Sequence, residues 1–278
     1  MKFTVLAIAA FITLSACQKE KTATSDHTVA EETAVSAENI KTEDVTYAVN
    51  GKNYRSFVAY DATMSSVRPV VMVIPEWWGL NDYAKKRAEM LAELGYFAIA
   101  VDYYGDGKVV DNPTDAENNA KPFYQNPADS KTVFDGAKAQ LANYPNADSK
   151  KVAVIGYCFG GAQALNMARQ ESDLKGAVSF HGNLMTGVKP QNNTVPMLIA
   201  NGANDSFVPA EEIAAFKKEM DSAKVKYTFI DYPNSLHAFT NPASTEVGKK
   251  FNMKIAYNKE ADEKSWQEMK TFLEGIFR

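Results

Sequence analysis

Apolar and polar positions follow two recurring patterns along the chain. Short runs rich in β-branched and other apolar residues are typical of strands, and longer segments with apolar residues three and four positions apart are typical of helices. The predicted strands cover residues 45–49, 54–60, 69–74, 97–101, 152–155, 177–180, 197–200 and 227–230. The predicted helices cover residues 81–94, 131–144, 159–170, 209–222 and 259–277.

The order of these elements predicts an α/β fold. Strands that alternate with helices form a mostly parallel central sheet with helices on both faces. The continuous apolar run at 69–74 fits a strand that is buried on both faces. Asn50 and Gly51 form a hairpin turn between the first two strands. Residues 105–127 contain Gly, Pro, Asn and Asp with little periodicity, which predicts a long loop above the sheet. This loop is either a lid over the site or a surface segment without a role in it.

The N-terminus has the pattern of a cleaved signal. Lys2 precedes an apolar run over residues 3–14 that is too short to be a comfortable membrane span. The run leads into Leu-Ser-Ala-Cys at residues 14–17, which resembles the bacterial lipobox and predicts a signal peptide over 1–16 and a lipid on Cys17. An ordinary secretory signal with an incidental cysteine is the alternative. Gln18, in place of Asp, favours an outer-membrane anchor in the bacterial cell envelope, facing the periplasm.

Residues 17–42 are predicted to be a flexible tether. They are rich in Thr, Ser, Ala, Glu and Lys and contain no Phe, Tyr or Trp. Such a segment buries too little apolar surface to offset the entropy that ordering it would cost. The folded domain is therefore predicted over residues 43–278.

Composition excludes several classes of function. The net charge is −4 and no block of Lys and Arg stands out, which disfavours binding to nucleic acid or to an anionic membrane surface. The two cysteines, Cys17 and Cys158, lie in different contexts, so no disulfide framework is expected. No metal-ligand cluster or nucleotide fingerprint is present, so neither a metal nor a cofactor is expected. Oligomeric state is not predicted.

A candidate nucleophile lies between a predicted strand and a predicted helix. Residues 156–161 read Gly-Tyr-Cys-Phe-Gly-Gly, the context of a nucleophile elbow, in which glycines leave room for a sharp turn. The turn projects Cys158 above the sheet at a helix N-terminus, whose partial positive charge favours a thiolate. The alternative is a buried structural cysteine in a tight turn.

Candidate partners follow in the chain order of the α/β-hydrolases. Asp205 and His237 each come after a predicted strand, so His237 would relay the proton and Asp205 would orient its ring. His181 also follows a strand but precedes the acid, and we interpret it as a pocket-lining or structural residue. Asp231 competes as the acid, but it lies in the predicted strand.

The end of strand 69–74 supplies the remaining candidates. The backbone N–H groups of Trp77 and of Phe159, the residue after the nucleophile, are the predicted oxyanion hole. Glu76 lies at the mouth of an apolar site, where burial would raise its pKa. A surface carboxylate beside two aromatic residues is the alternative interpretation of Glu76.

These motifs together resemble the dienelactone hydrolase family of the α/β-hydrolase fold. The resemblance runs from about residue 54 to the C-terminus and rests on residues 76–79, 101–103, 156–161, 202–209 and 237–239. Cysteine at the elbow is its most specific element. The resemblance implies a catalytic triad of Cys158, Asp205 and His237. It also implies that Glu76 contacts the resting thiol and helps to deprotonate it when substrate arrives.

Two departures from the family change the expected substrate. The family's founding enzymes hold a substrate carboxylate with two arginines, where this chain has Asp106 and Asn241. Neither residue can replace a guanidinium fork. We therefore expect an uncharged small ester or lactone rather than dienelactone itself. The candidate pocket residues are Trp77, Trp78, Tyr103, Phe159, His181 and Phe239. For each of the five Trp, Tyr and Phe residues among them, a place in the core is the equal alternative.

The sequence thus predicts a carboxylic ester or lactone hydrolase that acts through an acyl-thioester and is held to the membrane by lipid on Cys17. One alternative is a peptidase or acyl-transfer enzyme on the same fold. Another is a non-catalytic, envelope-anchored binding protein, since a fold does not guarantee an activity.

Overall fold

The computed structural model describes residues 39–190 and 195–278, together with Lys2. Its strands are β1 Ile40–Val49, β2 Lys52–Asp61, β3 Arg68–Ile74, β4 Phe97–Ala100, β5 Ala147–Tyr157, β6 Gly176–Phe180, β7 Met197–Gly202 and β8 Tyr227–Tyr232. Its helices are α1 Asp82–Glu93, α2 Pro113–Gln125, α3 Pro127–Ala139, α4 Phe159–Gln170, α5 Ala210–Ser222, α6 Ser244–Phe251 and α7 Lys259–Phe277. A short 3₁₀ helix, Gln140–Asn143, follows α3.

The eight strands form one sheet in the order β1-β2-β4-β3-β5-β6-β7-β8. β1 and β2 form the predicted antiparallel hairpin, and β2 is also antiparallel to β4. All other neighbours are parallel. The mostly parallel sheet predicted from the sequence is confirmed.

Apolar residues cover both faces of this sheet. In β3, Val70 and Met72 pack on one face and Val71 and Val73 on the other. Helices α3, α4 and α5 contribute to the first core, and helices α1 and α7 to the second. A parallel strand covered on both sides has no solvent-facing side to make polar, which explains the continuous apolar run.

The structure corrects the prediction of a long loop over residues 105–127. Helix α2 occupies most of that segment, and its N-cap residue Asn112 accepts a hydrogen bond from the backbone N–H of Asp115. The periodicity was hidden because only Ala116, Ala120 and Phe123 are buried. Pro122 inside the helix obscured it further. Helix α6 was not predicted either.

The N-terminal boundary also differs from the prediction. β1 begins at Ile40, so the last three residues of the predicted 17–42 tether belong to a strand. Lys41, Thr42 and Asp44 are exposed, and from Glu43 onward half-buried and exposed positions alternate, which made the strand resemble a polar linker. Cys17, the predicted signal peptide and the rest of the tether lie outside the described residues. Within the described ranges, no helix is both long enough and apolar enough to cross a membrane.

Candidate active site

The end of β5 turns sharply into α4 at Cys158. The backbone of Cys158 has φ 53° and ψ −117°, a conformation that few non-glycine residues adopt. Glycines make the turn feasible, because a Cβ on Gly156 would lie 1.9 Å from the carbonyl oxygen of Gly160. A Cβ on Gly160 would lie 2.1 Å from the carbonyl oxygen of Ile74. The elbow is therefore pressed against the end of β3.

The structure brings Cys158, His237 and Asp205 together in one hydrogen-bonded chain. Nε2 of His237 lies 3.0 Å from Sγ of Cys158, and Nδ1 of His237 lies 2.8 Å from Oδ2 of Asp205. These distances suit proton exchange between the sulfur and the imidazole, with the carboxylate fixing the ring.

The three side chains follow the carboxyl ends of three different strands. Cys158 follows β5, Asp205 follows β7 and His237 follows β8. The ends of parallel strands meet at one edge of a sheet, which explains how residues far apart in sequence converge. Asp231, the competing acid, lies in β8 and accepts a hydrogen bond from Asn201 at 2.8 Å.

The surroundings of His237 favour its protonated form. Burial by itself would lower the pKa of His237, but the adjacent Cys158 sulfur and the Asp205 carboxylate outweigh burial and raise that pKa well above its usual value. The Asp205 side chain is fully buried, so its interaction with the ring is little screened by water. The arrangement therefore suits a thiolate–imidazolium pair.

The two predicted oxyanion donors belong to residues that line the cavity beside Cys158. Phe159 is the first residue of α4, and Trp77 follows the end of β3. Both residues line the same cavity as Cys158. In the described part of the chain, neither amide donates a hydrogen bond to another protein group. Two donors left unpaired at a helix N-terminus and a strand end suit the stabilisation of an oxyanion.

Glu76 is buried beside this pair rather than exposed on the surface. Burial raises the pKa of Glu76 to about 7, although Asn241, His237 and Arg87 each act in the opposite direction. Its Oε2 accepts a hydrogen bond from Nδ2 of Asn241 at 2.7 Å. The resemblance implied a contact with the Cys158 thiol, but the hydrogen bond that the structure gives Glu76 is the one with Asn241.

A cavity of about 360 Å³ opens in front of Cys158. It is lined mainly by apolar and aromatic residues from α2, from the elbow between β5 and α4, and from the loops after β3, β6, β7, β8 and α6. The lining residues are Glu76, Trp77, Trp78, Glu117, Ala120, Lys121, Tyr124, Gln125, Cys158, Phe159, Asn183, Phe207, His237, Ala238, Met253 and Ile255. The combination of a nucleophile, a proton relay and an apolar cavity is typical of an active site.

The structure corrects part of the predicted pocket. Trp78 lines the cavity as predicted, but Tyr103, His181 and Phe239 do not. All three are buried behind the wall, with Tyr103 packed against Phe159 and Phe239 packed against Tyr232 in the core. Aromatic residues next to catalytic motifs serve the core as often as the pocket, so sequence alone did not separate the two.

Sequence reasoning missed the outer wall of the cavity. Tyr124 and Lys121 belong to α2, and Phe207 lies two residues after Asp205 with its ring 4.9 Å from the His237 ring. The helical period of α2 would have been the only signal for Tyr124 and Lys121. Nothing in the pattern distinguished Phe207 from any other exposed loop residue.

A known protein family matches most of the described chain. The model of the Dienelactone hydrolase family matches residues 57–277. The chain belongs to the dienelactone hydrolase family. The match includes every residue of the Cys158–His237–Asp205 chain, Glu76 and both predicted oxyanion donors.

Several relatives match over most of their length. A protein of Yersinia pestis that is provisionally named a carboxymethylenebutenolidase is 27% identical over 240 residues, which are 81% of this chain and 85% of that protein. Protein usf of Aquifex pyrophilus is 30% identical over 220 residues, 77% of this chain and 94% of that protein. The crystal structure of a dienelactone hydrolase-like promiscuous phosphotriesterase from metagenomic libraries has a TM-score of 0.80 and 33% identity, covering 86% of this chain and 100% of that chain. These likenesses support a hydrolase.

The resemblance implied that Asp106 and Asn241 stand where the founding enzymes of the family carry two arginines. Asn241 points its amide at Glu76. Asp106 does not line the active-site cavity and lies instead in a separate hollow beside β1 and β2. Among the described residues that line the cavity, Lys121 is the one Lys or Arg, so no pair of arginines is present there. No group of three or more metal-ligating side chains occurs among the residues described.

Proposed function

We propose that this protein hydrolyses small, uncharged carboxylic esters or lactones through an acyl-thioester on Cys158. The observation that carries the proposal is the continuous hydrogen-bonded chain from Sγ of Cys158 through His237 to Asp205, which opens into an apolar cavity. A thiolate beside an imidazolium combines a strong nucleophile with a proton donor for the leaving group.

In the first half of the reaction, the Cys158 thiolate attacks the carbonyl carbon. The resulting oxyanion accepts hydrogen bonds from the backbone N–H groups of Trp77 and Phe159. The tetrahedral intermediate collapses when the carbon–oxygen bond breaks, and the His237 imidazolium gives its proton to the departing alkoxide. The products are an alcohol, or the open end of a lactone, and an acyl-thioester.

In the second half, neutral His237 removes a proton from water, and the hydroxide attacks the thioester. The carboxylic acid departs, and the thiolate–imidazolium pair is restored. Because a thiolate is itself a good leaving group, the first step proceeds best when the alkoxide or enolate is also stable. Activated esters and lactones are therefore favoured over amides.

The chemistry of the cavity wall favours an uncharged substrate. Trp77, Trp78 and Phe159 present aromatic surface to the cavity. Glu117 and Lys121 contribute one charge of each sign, so the outer wall provides no net attraction for an anion. An apolar cavity with few polar groups binds a neutral ligand at a low desolvation cost.

A second candidate substrate class is a neutral phosphotriester. The related structure with 33% identity is described as a promiscuous phosphotriesterase. A neutral phosphotriester also suits an apolar cavity, and the same thiolate and amides could serve an attack at phosphorus. In this case one phosphorus–oxygen bond breaks, the departing alkoxide or phenolate takes the proton of His237, and the covalent intermediate is a phosphodiester group bound through the Cys158 sulfur.

The test is hydrolysis of a substrate panel by the wild type and Cys158→Ala. The panel contains p-nitrophenyl acetate, a neutral lactone, a carboxylate-bearing lactone, a neutral phosphotriester and an aminoacyl-nitroanilide. We expect the neutral ester and lactone to be the best substrates, with activity at least about 10³-fold lower in the variant.

Each other outcome has a defined meaning. Full esterase activity in Cys158→Ala would show that Cys158 is not the nucleophile. A preference for the carboxylate-bearing lactone would contradict the substrate class. Faster cleavage of the nitroanilide would indicate a peptidase. Failure to turn over any of the five compounds, with a thiol that iodoacetamide does not alkylate, would indicate a binding protein.

We also propose that a lipid on Cys17 anchors the domain to the bacterial envelope, in the outer membrane facing the periplasm. The support is the lipobox-like sequence at residues 14–17. Cys17→Ser should move the protein from the membrane fraction to the soluble fraction. An unchanged distribution would contradict the anchor.

A further inference from the structure

A second row of hydrogen bonds lies behind Cys158, on the side away from the cavity. The backbone N–H of Cys158 is shared between two acceptors: it donates to Nδ1 of His181 at 3.1 Å and to the carbonyl oxygen of Phe180 at 3.0 Å. Nε2 of His181 lies 2.8 Å from Oγ1 of Thr240, which in turn lies 2.6 Å from the hydroxyl of Tyr83. We call His181, Thr240 and Tyr83 the support row.

The chemistry of the amide fixes the protonation of His181. A backbone N–H can only donate, so Nδ1 of His181 must carry a lone pair. The ring is then neutral with its proton on Nε2, which donates to Thr240. Burial lowers the pKa of His181 well below its ordinary value, and the nearby charges of His237 and Arg87 lower it further.

The support row also borders the proton relay directly. The rings of His181 and His237 are 5.2 Å apart between centroids. A charged His181 would repel the imidazolium that the reaction needs on His237. The support row therefore places a hydrogen-bond acceptor beneath the nucleophile without placing a second positive charge beside the relay.

Both residues at this junction have unusual backbones. Cys158 has φ 53° and His181 has φ 42°, each in the left-handed region. Such conformations persist only where the surroundings hold them in place. The hydrogen bond between the Cys158 amide and the His181 ring joins the two strained positions. It lies beside the backbone hydrogen bonds that Cys158 donates to Phe180 and that His181 donates to Ala200.

We infer that His181 is a positioning residue: its Nδ1 holds the Cys158 amide so that the sulfur faces His237 and the neighbouring Phe159 amide faces the oxyanion. Thr240 sets the required tautomer of His181. The inference rests on the proposed thiolate chemistry, but it concerns residues that do not touch substrate.

The test compares two replacements that both tolerate a left-handed backbone. His181→Asn keeps an oxygen acceptor near the position of Nδ1, whereas His181→Gly removes the acceptor. We expect His181→Gly to lower kcat for p-nitrophenyl acetate by about 10- to 100-fold, with KM changed by less than about 3-fold, because the reacting groups are misplaced by a fraction of an ångström. His181→Asn should recover most of that loss.

A second measurement does not depend on any substrate. The rate of alkylation of Cys158 by iodoacetamide, followed by mass spectrometry of the peptide that contains it, reports the reactivity of the sulfur and separates it from Cys17. We expect slower alkylation in His181→Gly and partial recovery in His181→Asn. Equal kcat and equal alkylation in the two variants would overturn the positioning role.

A matched pair at Thr240 decides the matter if His181→Gly does not fold. Thr240→Val removes the hydroxyl that accepts from Nε2 with little change in shape, and Thr240→Ser keeps that hydroxyl. We expect a fall in kcat of roughly 10-fold in the valine variant and recovery in the serine variant. Equal activity in the two would overturn the inference.

Full turnover by Cys158→Ala would instead overturn the proposed function, whereas wild-type alkylation in His181→Gly would overturn only the positioning role.

Discussion

The two sides of the cavity are built in different ways. On the inner side, Cys158, His237 and Asp205 rise from strand ends and are held by hydrogen bonds of 2.8 to 3.0 Å. On the outer side, Tyr124 and Phe207 are 39% and 42% exposed. The hydroxyl of Tyr124 reaches Oδ1 of Asn183 only at 3.4 Å. The comparison teaches that the sheet fixes the chemistry, whereas α2 and one loop shape the space that a substrate must fit.

This division makes opposite demands on the two regions. Proton transfer requires reacting atoms to be held within a fraction of an ångström, which rigid strand ends provide. A substrate-binding wall can be exchanged without disturbing those atoms, and loops and added helices are where such exchange occurs. Changes on the inner side should therefore alter kcat, and changes on the outer side should alter KM and substrate preference.

The largest effect should come from Asp205→Asn on the inner side. The amide can hold His237 in the wrong tautomer and cannot stabilise its imidazolium, so kcat should fall by roughly 10³-fold with little change in KM. Steady-state kinetics with p-nitrophenyl acetate measure both constants. Asp231→Asn is the matched control, because Asp231 lies one strand away and bonds to Asn201. A similar fall in both variants would contradict the assignment of Asp205.

A smaller effect should come from Tyr124→Ala on the outer side. Removing the ring takes apolar surface from the wall, so KM for esters with larger acyl groups should rise by about 10-fold while kcat for the acetate ester stays within about 2-fold. Tyr124→Phe is the control, since it keeps the ring and loses only the long hydrogen bond to Asn183. A loss of kcat on every ester would show that the two sides are not separable.

The smallest effect should come from Glu76→Gln at the border between the sides. The folded-state pKa of Glu76 is raised to about 7 by burial, above the ordinary value, so the fold favours its protonated form. In the wild type, the stabilisation that protonated Glu76 contributes to the fold is fully present below about pH 4. It is lost as the pH rises through about 7. The variant has no such loss, so it should be more stable than the wild type at pH 8, by at most about 3 kcal/mol, and equal to it near pH 4.

Thermal or urea unfolding at the two pH values checks this prediction. Gln retains an oxygen that can accept the hydrogen bond from Asn241, which limits the change to the charge itself. A stability difference that does not depend on pH would contradict a buried carboxyl with a raised pKa.

The inner side was largely predictable from sequence, for physical reasons. A nucleophile elbow needs glycines at fixed positions around Cys158, because backbone atoms approach to distances that a Cβ cannot occupy. Strands that are buried on both faces give continuous apolar runs, so the residue just past each run lies at the active edge. These constraints are local, and they predicted Cys158 at the elbow. Asp205 and His237 were predicted because each follows a predicted strand in the chain order of the α/β-hydrolases.

The outer side was not predictable, because its constraints are not local. α2 buries only a few residues and contains Pro122, so its pattern resembled that of a loop. Whether Tyr103 or Tyr124 faces the cavity depends on how a helix packs over the sheet, which single-sequence periodicity does not record. The same holds for Asn241, whose contact with Glu76 spans 165 residues of sequence.

The most direct test of the account is to trap the covalent intermediate. The full chain is mixed with excess p-nitrophenyl acetate, quenched in acid within the first turnovers, digested and analysed by mass spectrometry. The account predicts one acetyl group on the peptide that contains Cys158, and none there when Cys158→Ala is treated in the same way. Turnover at the normal rate with that peptide unmodified at every quench time, and with the acetyl group on another residue, would contradict it.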